Sequence, residues 1–437
     1  MAKVTNLTLR NKVVYRLYIR NYSEAGTFQG IIPDLPRLKA LGVSIIVLAS
    51  IFPATDIKIA HEPLGDPDYV KAFDGVGKEY GTLLDFQALV DAIHEQGMQV
   101  VIEWPLHHMA RDSEWVVEHP EYFKHDRAGQ LTSEWPSHQR AYDLDYDNPK
   151  MWEELIAIMK GWAKLVDGFY IRQVMLIRPE FLNSARAEIE DIHPYFYWMG
   201  GTTTDDILLT MRMNNQTYWT EGEVYNIFDV LDEASFQRFP LQYLAGETTL
   251  DNLVYTLNWH ELMLPGTAVK NRGLEIGDDR RFASYLKDEM ELEAWTAFSL
   301  FEKGAGGLMM GQEFGTKKPV SRTSNQPIAW DKPHDMTQLI QRLSQLKRRE
   351  VCKSGYYFLR GDYDCIVIAS YHYYNQHVLG IFKLRSDDQT YVVEVGLPHG
   401  EYENLIDGMR YTVNEGRVEV GNQPVILSFD GEMRLPH

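Results

Sequence analysis

Short apolar runs alternate with amphipathic stretches over the first three-quarters of the chain. Val13–Ile19 and Val43–Leu48 predict strands, and the second run is almost wholly apolar, as in parallel sheets that are buried on both faces. Leu83–Gln96 predicts a helix, because its apolar residues recur on one face and Gly97 follows as a stop signal. The chain therefore begins as a succession of strand and helix units.

The same alternation continues towards the C-terminus. Further strands are predicted at Gln99–Trp104, Gly168–Val174, Tyr195–Met199, Tyr225–Val230, Val254–Leu257 and Gly307–Met310, and further helices at Leu35–Leu41, Met151–Leu165 and Pro179–Ile192. Eight strands with intervening helices imply an α/β fold in which a parallel sheet closes into a (β/α)8 TIM barrel.

Two segments depart from this alternation of strands and helices. Residues 107–149 are polar and rich in Trp and His, which predicts an inserted subdomain B after strand three. Beyond residue 350 the pattern changes to period-two strands separated by turn signals such as Asp407-Gly408. We therefore assign residues 1–106 and 150–349 to the barrel and residues 350–437 to an antiparallel β-sandwich domain.

Composition and charge exclude several classes of protein. The 437 residues are 44% hydrophobic and carry a formal net charge of −19, so a nucleic-acid partner is not expected. Residues Met1–Asn6 lack the pattern of a signal peptide, and no apolar run is long enough to span a membrane. Cys352 and Cys365 predict two reduced thiols. The expected location is the cytoplasm, with no membrane partner.

A TIM barrel keeps its reactive groups where its strands end. The candidates at the ends of the predicted third, fourth, fifth and seventh strands are Glu103, His107, His108, Arg172, Gly200, Gly201, His260 and Glu261. This set is unusual, because one strand ends in a permanent cation and another in a residue without a side chain.

Several segments carry a resemblance to a known family. They are Tyr22-Ser23 after strand one, Glu79–Leu83, His119–Phe123 and Met310–Gly315, followed by the terminal β domain. In this order they resemble glycoside hydrolase family 13, the α-amylase family, over the whole chain. The resemblance implies a TIM-barrel enzyme of α-glucan metabolism that uses a carboxylate nucleophile and a carboxylic general acid.

The resemblance assigns the catalytic positions of strands three to five. In the strand-three motif Glu103 replaces an aspartate, His107 replaces an asparagine and His108 keeps the histidine. In strand four Tyr170 replaces an arginine and Arg172 replaces the nucleophile. In strand five, after Trp198, the general-acid position holds Gly201.

The strand-seven motif is matched to Trp259-His260-Glu261, where Glu261 takes the place of the transition-state stabiliser. A slip of one residue would put His260 there instead. Glu223, in a segment that resembles an acid motif, is an alternative general acid. Four tryptophans near the predicted mouth either stack on sugar rings or pack in the core: Trp104, Trp135, Trp198 and Trp259.

These replacements predict a protein without hydrolytic activity. A retaining glycosidase needs two carboxyl groups ~5–5.5 Å apart, and a guanidinium cannot act as either of them. We expect Arg172 to pair with Glu103 or Glu261, because an unpaired buried charge is costly. The resulting hypothesis is a glucan-binding or regulatory pseudoenzyme, whose partner is an α-glucan oligosaccharide or another protein.

Two alternatives remain open at this stage. One is an active α-glucoside hydrolase with a rearranged carboxylate set drawn from Glu103, Glu223 or Glu261. The other is a scaffold subunit that binds no ligand. No cofactor is expected: His107 replaces the asparagine of the calcium site that the resemblance implies, and two adjacent histidines on a strand rarely face the same way.

Overall fold

The computed structural model describes residues 6–59, 62–134, 139–275 and 281–432. The strands in chain order are β1 (Val13–Tyr18), β2 (Ile45–Ala49), β3 (Gln99–Trp104), β4 (His108–Ala110), β5 (Ala141–Asp143), β6 (Gly168–Ile171), β7 (Tyr197–Gly201), β8 (Val230–Asp232), β9 (Lys270–Arg272), β10 (Ala305–Met309), β11 (Tyr356–Asp362), β12 (Ile366–Tyr373), β13 (Gln376–Lys383), β14 (Tyr391–Glu394), β15 (Gly400–Glu403), β16 (Arg410–Val413), β17 (Arg417–Val420) and β18 (Val425–Asp430).

Eight of these strands close into a parallel barrel in the order β1-β10-β9-β8-β7-β6-β3-β2. The helices are α1 (Ile19–Tyr22), α2 (Leu35–Leu41), α3 (Leu83–Glu95), α4 (Trp115–Glu118), α5 (Pro149–Trp162), α6 (Pro179–Glu190), α7 (Asp205–Met213), α8 (Glu221–Val224), α9 (Ala234–Leu244), α10 (Leu250–Met263), α11 (Glu289–Phe301), α12 (Thr337–Lys347) and α13 (Glu350–Ser354). The TIM barrel predicted from the sequence is confirmed.

Local signals in the sequence explain where these elements begin and end. Helix α3 begins at a capping box in which the Thr82 and Asp85 side chains bond to each other's backbone N–H groups. Strand β6 ends two residues before Gln173, whose left-handed backbone (φ 49°) turns the chain away from the barrel. The predicted strand through Val174 is therefore too long, and Arg172 lies just beyond the strand end.

Two of the predicted barrel strands are wrong. Val254–Leu257 lies inside helix α10, whose buried residues Leu253, Val254 and Leu257 recur at helical rather than strand spacing. The seventh strand is β9, which is entirely polar and so carries no apolar signal. The predicted sixth strand begins too early: Tyr225 caps helix α8, and the strand is Val230–Asp232.

The remaining elements form the inserted segment and the C-terminal domain. After β3 the chain forms the short antiparallel pair β4–β5. At the C-terminus the sheet β11-β12-β13-β18 faces the pairs β14–β17 and β15–β16. Aliphatic side chains from both layers share one core, which confirms the antiparallel domain. Within the residues that the structure describes, no helix is long and apolar enough to cross a membrane.

Candidate functional site

Arg172 is held in a cluster of ion pairs where the barrel strands end. Its Nη1 lies 2.5 Å from Oδ1 of Asp68 and 3.5 Å from Oε1 of Glu103. Arg16 pairs with the same glutamate, and Arg322 with the same aspartate. The predicted contact between Arg172 and Glu103 is confirmed. The cluster brings three cations to two carboxylates.

The charges of this cluster stabilise one another. Burial disfavours the charged form of Asp68, but Arg172 and Arg322 outweigh it and hold the pKa of Asp68 far below its usual range. Burial likewise disfavours the charged form of Arg172, yet Asp68 and Glu103 raise the pKa of its guanidinium. Arg172 is therefore a fixed cation, and Asp68 is not available as a proton donor.

A neighbouring side chain occupies the space above Gly201, the position that the resemblance assigns to the general acid. Gly201 is the last residue of β7 and pairs with Asp232 on β8. A β-carbon built on Gly201 would lie only 2.6 Å from the hydroxyl oxygen of Tyr170, which reaches across from β6. That hydroxyl donates a hydrogen bond to Oδ2 of Asp232, 2.5 Å away. The space in which an acid would sit is therefore filled by a phenol.

Asp232 is a carboxylate that the sequence analysis missed. Its Oδ1 accepts a hydrogen bond of 2.7 Å from the amide of Asn271 on β9. Complete burial raises the pKa of Asp232 to about 6, and the bonds from Tyr170 and Asn271 only partly oppose this effect. The cavity beside these three side chains measures only about 10 Å³, which is roughly the minimum that one water needs. Asp232 is 4% exposed and is therefore enclosed by protein groups.

The strand-three residues are buried and occupied by protein contacts. Glu103 is 1% exposed and is bound by Arg16. Nδ1 of His108 lies 2.8 Å from Nε2 of His107, and Nε2 of His108 lies 3.0 Å from the carbonyl oxygen of Asp68. The two imidazoles thus bind each other and the loop after β2.

The residues around His107 do not fit the calcium site that the family resemblance implies. His107 presents an imidazole, whereas Ca²⁺ is bound by oxygen ligands. Nearby Asp143 uses one carboxylate oxygen to accept from the Ser133 hydroxyl (2.9 Å) and the other to accept from the Glu134 amide (2.7 Å). Burial raises the pKa of Asp143. Across the described ranges no three His, Cys, Asp or Glu side chains are arranged to hold a metal.

The residues predicted for strand seven lie outside the barrel, on helix α10. Glu261 pairs with Nη2 of Arg272 (2.9 Å) and with Lys303 (3.1 Å), so its predicted role beside Arg172 is wrong. Nδ1 of His260 lies 2.5 Å from Oε1 of Glu233. These side chains form an ion cluster around the fully buried Arg272, which is separate from the cluster at the strand ends.

Glu223 also lies away from the barrel mouth. It is the third residue of the short helix α8, where its carboxylate accepts from both the backbone N–H and the hydroxyl of Thr220. These hydrogen bonds lower the pKa of the exposed Glu223 carboxyl. Its resemblance to an acid motif reflects a helix capping box.

The four tryptophans that were predicted near the barrel mouth divide between the core and the surface. Trp104 and Trp198 have no exposed area; Trp104 stacks on Phe73 with ring centroids 5.3 Å apart. Trp259 is 47% exposed on α10 and lies parallel to Tyr255. Trp135 lies outside the described residues. Trp104 and Trp198 are therefore packing residues.

Comparison with known proteins finds one family model that matches part of the barrel and another that matches the C-terminal domain. Residues 15–135 match the family model for the α-amylase catalytic domain. Residues 358–427 match the model for the bacterial α-amylase C-terminal domain. The first match covers the strands that carry Arg16 and Glu103, and the second covers most of the C-terminal sandwich.

The curated relatives include two glucosidases. The probable oligo-1,6-glucosidase 2 of Bacillus subtilis (strain 168) is 23% identical over 327 residues, which is 65% of this chain and 56% of that protein. The α-glucosidase of Schizosaccharomyces pombe is 25% identical over 381 residues, which is 70% of this chain and 64% of that protein. The chain thus covers less than two-thirds of the length of either relative.

Solved structures match over nearly the full length. An α-amylase from Lactobacillus plantarum is 31% identical, with a TM-score of 0.92, and the alignment covers 97% of this chain and 100% of that one. A noncanonic maltogenic α-amylase from Thermotoga neapolitana is 24% identical, with a TM-score of 0.85 and coverage of 97% and 99%, and it supports the fold. The chain therefore belongs to the α-amylase family, glycoside hydrolase family 13.

Proposed function

We propose that this protein is a non-hydrolytic member of the α-amylase family that binds an α-glucan. The proposal is supported by the state of the two positions that the resemblance assigns to the reacting groups: Arg172 is ion-paired to Asp68, and the hydroxyl of Tyr170 fills the space above Gly201. A retaining mechanism requires a nucleophile and an acid on opposite sides of the scissile bond. Neither group is present at these two positions.

The three glutamates of the alternative hydrolase are far from forming such a pair. Glu103 lies in the ion cluster at the strand ends, Glu261 in the cluster around Arg272, and Glu223 caps a surface helix. Each is held by partners of its own. Their arrangement argues against a rearranged active site.

The proposed ligand, an α-glucan, is inferred from the names of similar proteins. The relatives are named as glucosidases, and the two similar structures are described as α-amylases, so the ligands of the family are α-glucosides. The formal net charge of −19 favours an uncharged ligand over phosphorylated sugars. A protein that keeps the fold but loses both carboxylates can still recognise the polymer and regulate an active relative or its substrate.

The test is turnover and binding measured on the same preparation. We expect no release of reducing sugar or aryl group above buffer from maltoheptaose, isomaltose or p-nitrophenyl α-glucoside, and measurable binding of maltoheptaose by calorimetry. The matched variants are Glu103→Gln, Glu223→Gln and Glu261→Gln. Hydrolysis that disappears in one of them would overturn the proposal, and absence of any binding would leave a scaffold subunit in its place.

A further inference from the structure

Large apolar side chains are exposed together on helix α10 and on strand β11. On the helix they recur at a spacing of three and four residues, so they share one face. On the strand they alternate with buried residues, so they also share one face. We call this set the α10–β11 patch, and its members are Tyr255 (66% exposed), Trp259 (47%), Leu262 (75%), Met263 (62%), Tyr356 (66%) and Phe358 (44%).

Hydrogen bonds from one side chain join the two halves of the patch. Nδ2 of Asn258 donates to the carbonyl oxygen of Leu359 (2.8 Å), and its Oδ1 accepts from the N–H of the same residue (3.0 Å). Helix α10 therefore lies along β11, the edge strand of its sheet. Tyr357 and Leu359 pack in the core that the barrel shares. Tyr356 and Phe358 alternate with them and therefore point outwards, as the exposed face of α10 does.

We propose that two copies of this chain associate through the α10–β11 patch as a symmetric dimer. An aromatic side chain can bury ~150–250 Å², so the exposed fractions of the four rings amount to roughly 450 Å². Leu262 and Met263 raise this area to roughly 600 Å², the upper end of the range for the largest apolar patch on a monomer. A standard interface buries about 800 Å² on each partner, of which about 65% is apolar in homodimers. The patch therefore supplies the apolar area that one side of such a dimer needs.

The charges of the chain favour a second copy as the occupant. The formal net charge of −19 makes two copies repel each other where their acidic surfaces meet, whereas the patch itself is uncharged. Opposite charges lie at its margin: a β-carbon built on Gly361, the neighbour of Arg360, would lie 3.1 Å from Oδ1 of Asp251 in α10. A two-fold axis places the same margin of both copies together, so that acid and base can meet across it.

An aromatic pair on α10 suits the centre of this interface. Tyr255 and Trp259 lie one helical turn apart, with their rings parallel to within 11° and their centroids 6.3 Å apart. Tyrosine and tryptophan are enriched among the residues that contribute most to binding at protein interfaces. A symmetric interface contains each of these rings twice. The inference does not depend on glucan binding, because the patch contains none of the residues at the ends of the barrel strands.

The experiment is sedimentation velocity of the full-length protein over about a hundredfold range of concentration, since dimer formation depends on concentration. The parent should sediment with twice the mass of one chain. Trp259→Lys and Leu262→Lys should each weaken the dimer at least about a hundredfold, because the symmetric interface contains the changed residue twice. Tyr195→Lys, at an aromatic that is 86% exposed and outside the patch, is the matched control and should dimerise within about twofold of the parent.

Circular dichroism and the thermal midpoint establish that each variant is folded, and Leu262→Ser replaces any lysine variant that is not. A parent that is monomeric at every concentration would overturn the inference. So would a dimer that both lysine variants leave unchanged, because its interface would then lie elsewhere. A monomeric parent that binds maltoheptaose, and loses this binding in Trp259→Lys, would make the patch a sugar site instead. Turnover is measured separately, so failure of the dimer leaves the proposed function standing.

Discussion

At the scale of single residues, the side chains around positions 170, 172 and 201 fit one another. Tyr170 extends across β7 towards Asp232, and this path is open only because Gly201 has no side chain. Arg172 in turn is stabilised by Asp68, which comes from the loop after β2. Tyr170 and Arg172 are therefore each accommodated by a neighbouring residue. Changing Gly201 or Asp68 alone would leave a steric clash or an unpaired charge.

The fit between positions 170 and 201 can be measured. We expect Gly201→Ala to destabilise the protein by about 1–3 kcal/mol, because the new methyl group overlaps the hydroxyl oxygen of Tyr170. Combining it with Tyr170→Phe removes that oxygen, so the double variant should lose less stability than the sum of the two single changes. Urea denaturation gives all the required free energies.

Gly161→Ala is the matched control for this substitution. Gly161 lies in helix α5, and a β-carbon there would have no neighbour within 4 Å. Its replacement should stabilise the protein by up to about 1 kcal/mol, since alanine favours a helix. Equal effects at positions 161 and 201 would contradict the steric account.

At the scale of elements, the amide of Asn21 helps to hold the loop after β10 across the barrel mouth. Nδ2 of Asn21, in helix α1, lies within 3.0 Å of the carbonyl oxygens of Ser321, Ser324 and Gln326. Asn21 is completely buried, and its Oδ1 has no hydrogen-bonding partner among the described residues. This contact holds the loop from which Arg322 reaches Asp68.

The charge of a substitute at position 21 should therefore decide its cost. We expect Asn21→Ala to lose about 1–3 kcal/mol, because three carbonyl groups lose their donor. Asn21→Asp should lose more, because a buried carboxylate would face the same carbonyl oxygens. Chemical denaturation and limited proteolysis of the loop measure the effect.

An exposed asparagine provides the comparison for that experiment. Asn226→Asp, on the surface after helix α8, should change stability by less than about 0.5 kcal/mol. If Asn21→Asp proved no worse than Asn21→Ala, the amide would not be acting as the donor that fixes the loop.

Prediction of the elements from sequence succeeded where burial demanded apolar side chains. Strands β1, β2, β3, β6 and β10 were located within a few residues for this reason. Strand β9 was missed because Lys270, Asn271 and Arg272 are buried through ion pairs and hydrogen bonds, which leave no hydrophobic pattern. Helix α10 was mistaken for that strand because a short apolar run does not reveal its period.

The candidate site was predictable only in part, for a similar reason. The pairing of Arg172 with a carboxylate follows from the cost of a buried charge, and Glu103 was one of the two predicted partners. Asp68 carries no such signal, because it lies in a loop whose path depends on the folded barrel. Asp232 did carry a sequence signal, because it follows the apolar pair Val230-Leu231 at a strand end. The predicted strand, however, stopped at Val230 and did not reach it.

At the scale of the whole molecule, the barrel and the C-terminal domain share a hydrophobic core. The indole of Trp295 in α11 donates to the carbonyl of Leu384, and the hydroxyl of Tyr371 in β12 donates to that of Phe301. Phe382 packs its ring against Phe301 at 5.5 Å between centroids. The face of the C-terminal sheet that points away from the β14–β17 and β15–β16 pairs is thus buried by the barrel helices.

This shared core predicts one cooperative unfolding transition. Calorimetry on the full chain should show a single peak, and Phe382→Ala should lower its midpoint without splitting it, because the cavity lies between the two parts. Tyr374→Ala, at a residue that is 86% exposed, should leave the midpoint nearly unchanged. Two separable peaks would indicate that the domains unfold independently.

The packing of the Tyr170 phenol ring against Gly201 also sets the order in which a carboxylate could be introduced at position 201. A glutamate at position 201 would have to find room where the Tyr170 oxygen now lies, so residue 170 must shrink first. That first step alone breaks the bond to Asp232 and offers no catalytic benefit in exchange. A carboxylate engineered at position 201 would therefore depend on a prior change at position 170 that removes a buried hydrogen bond.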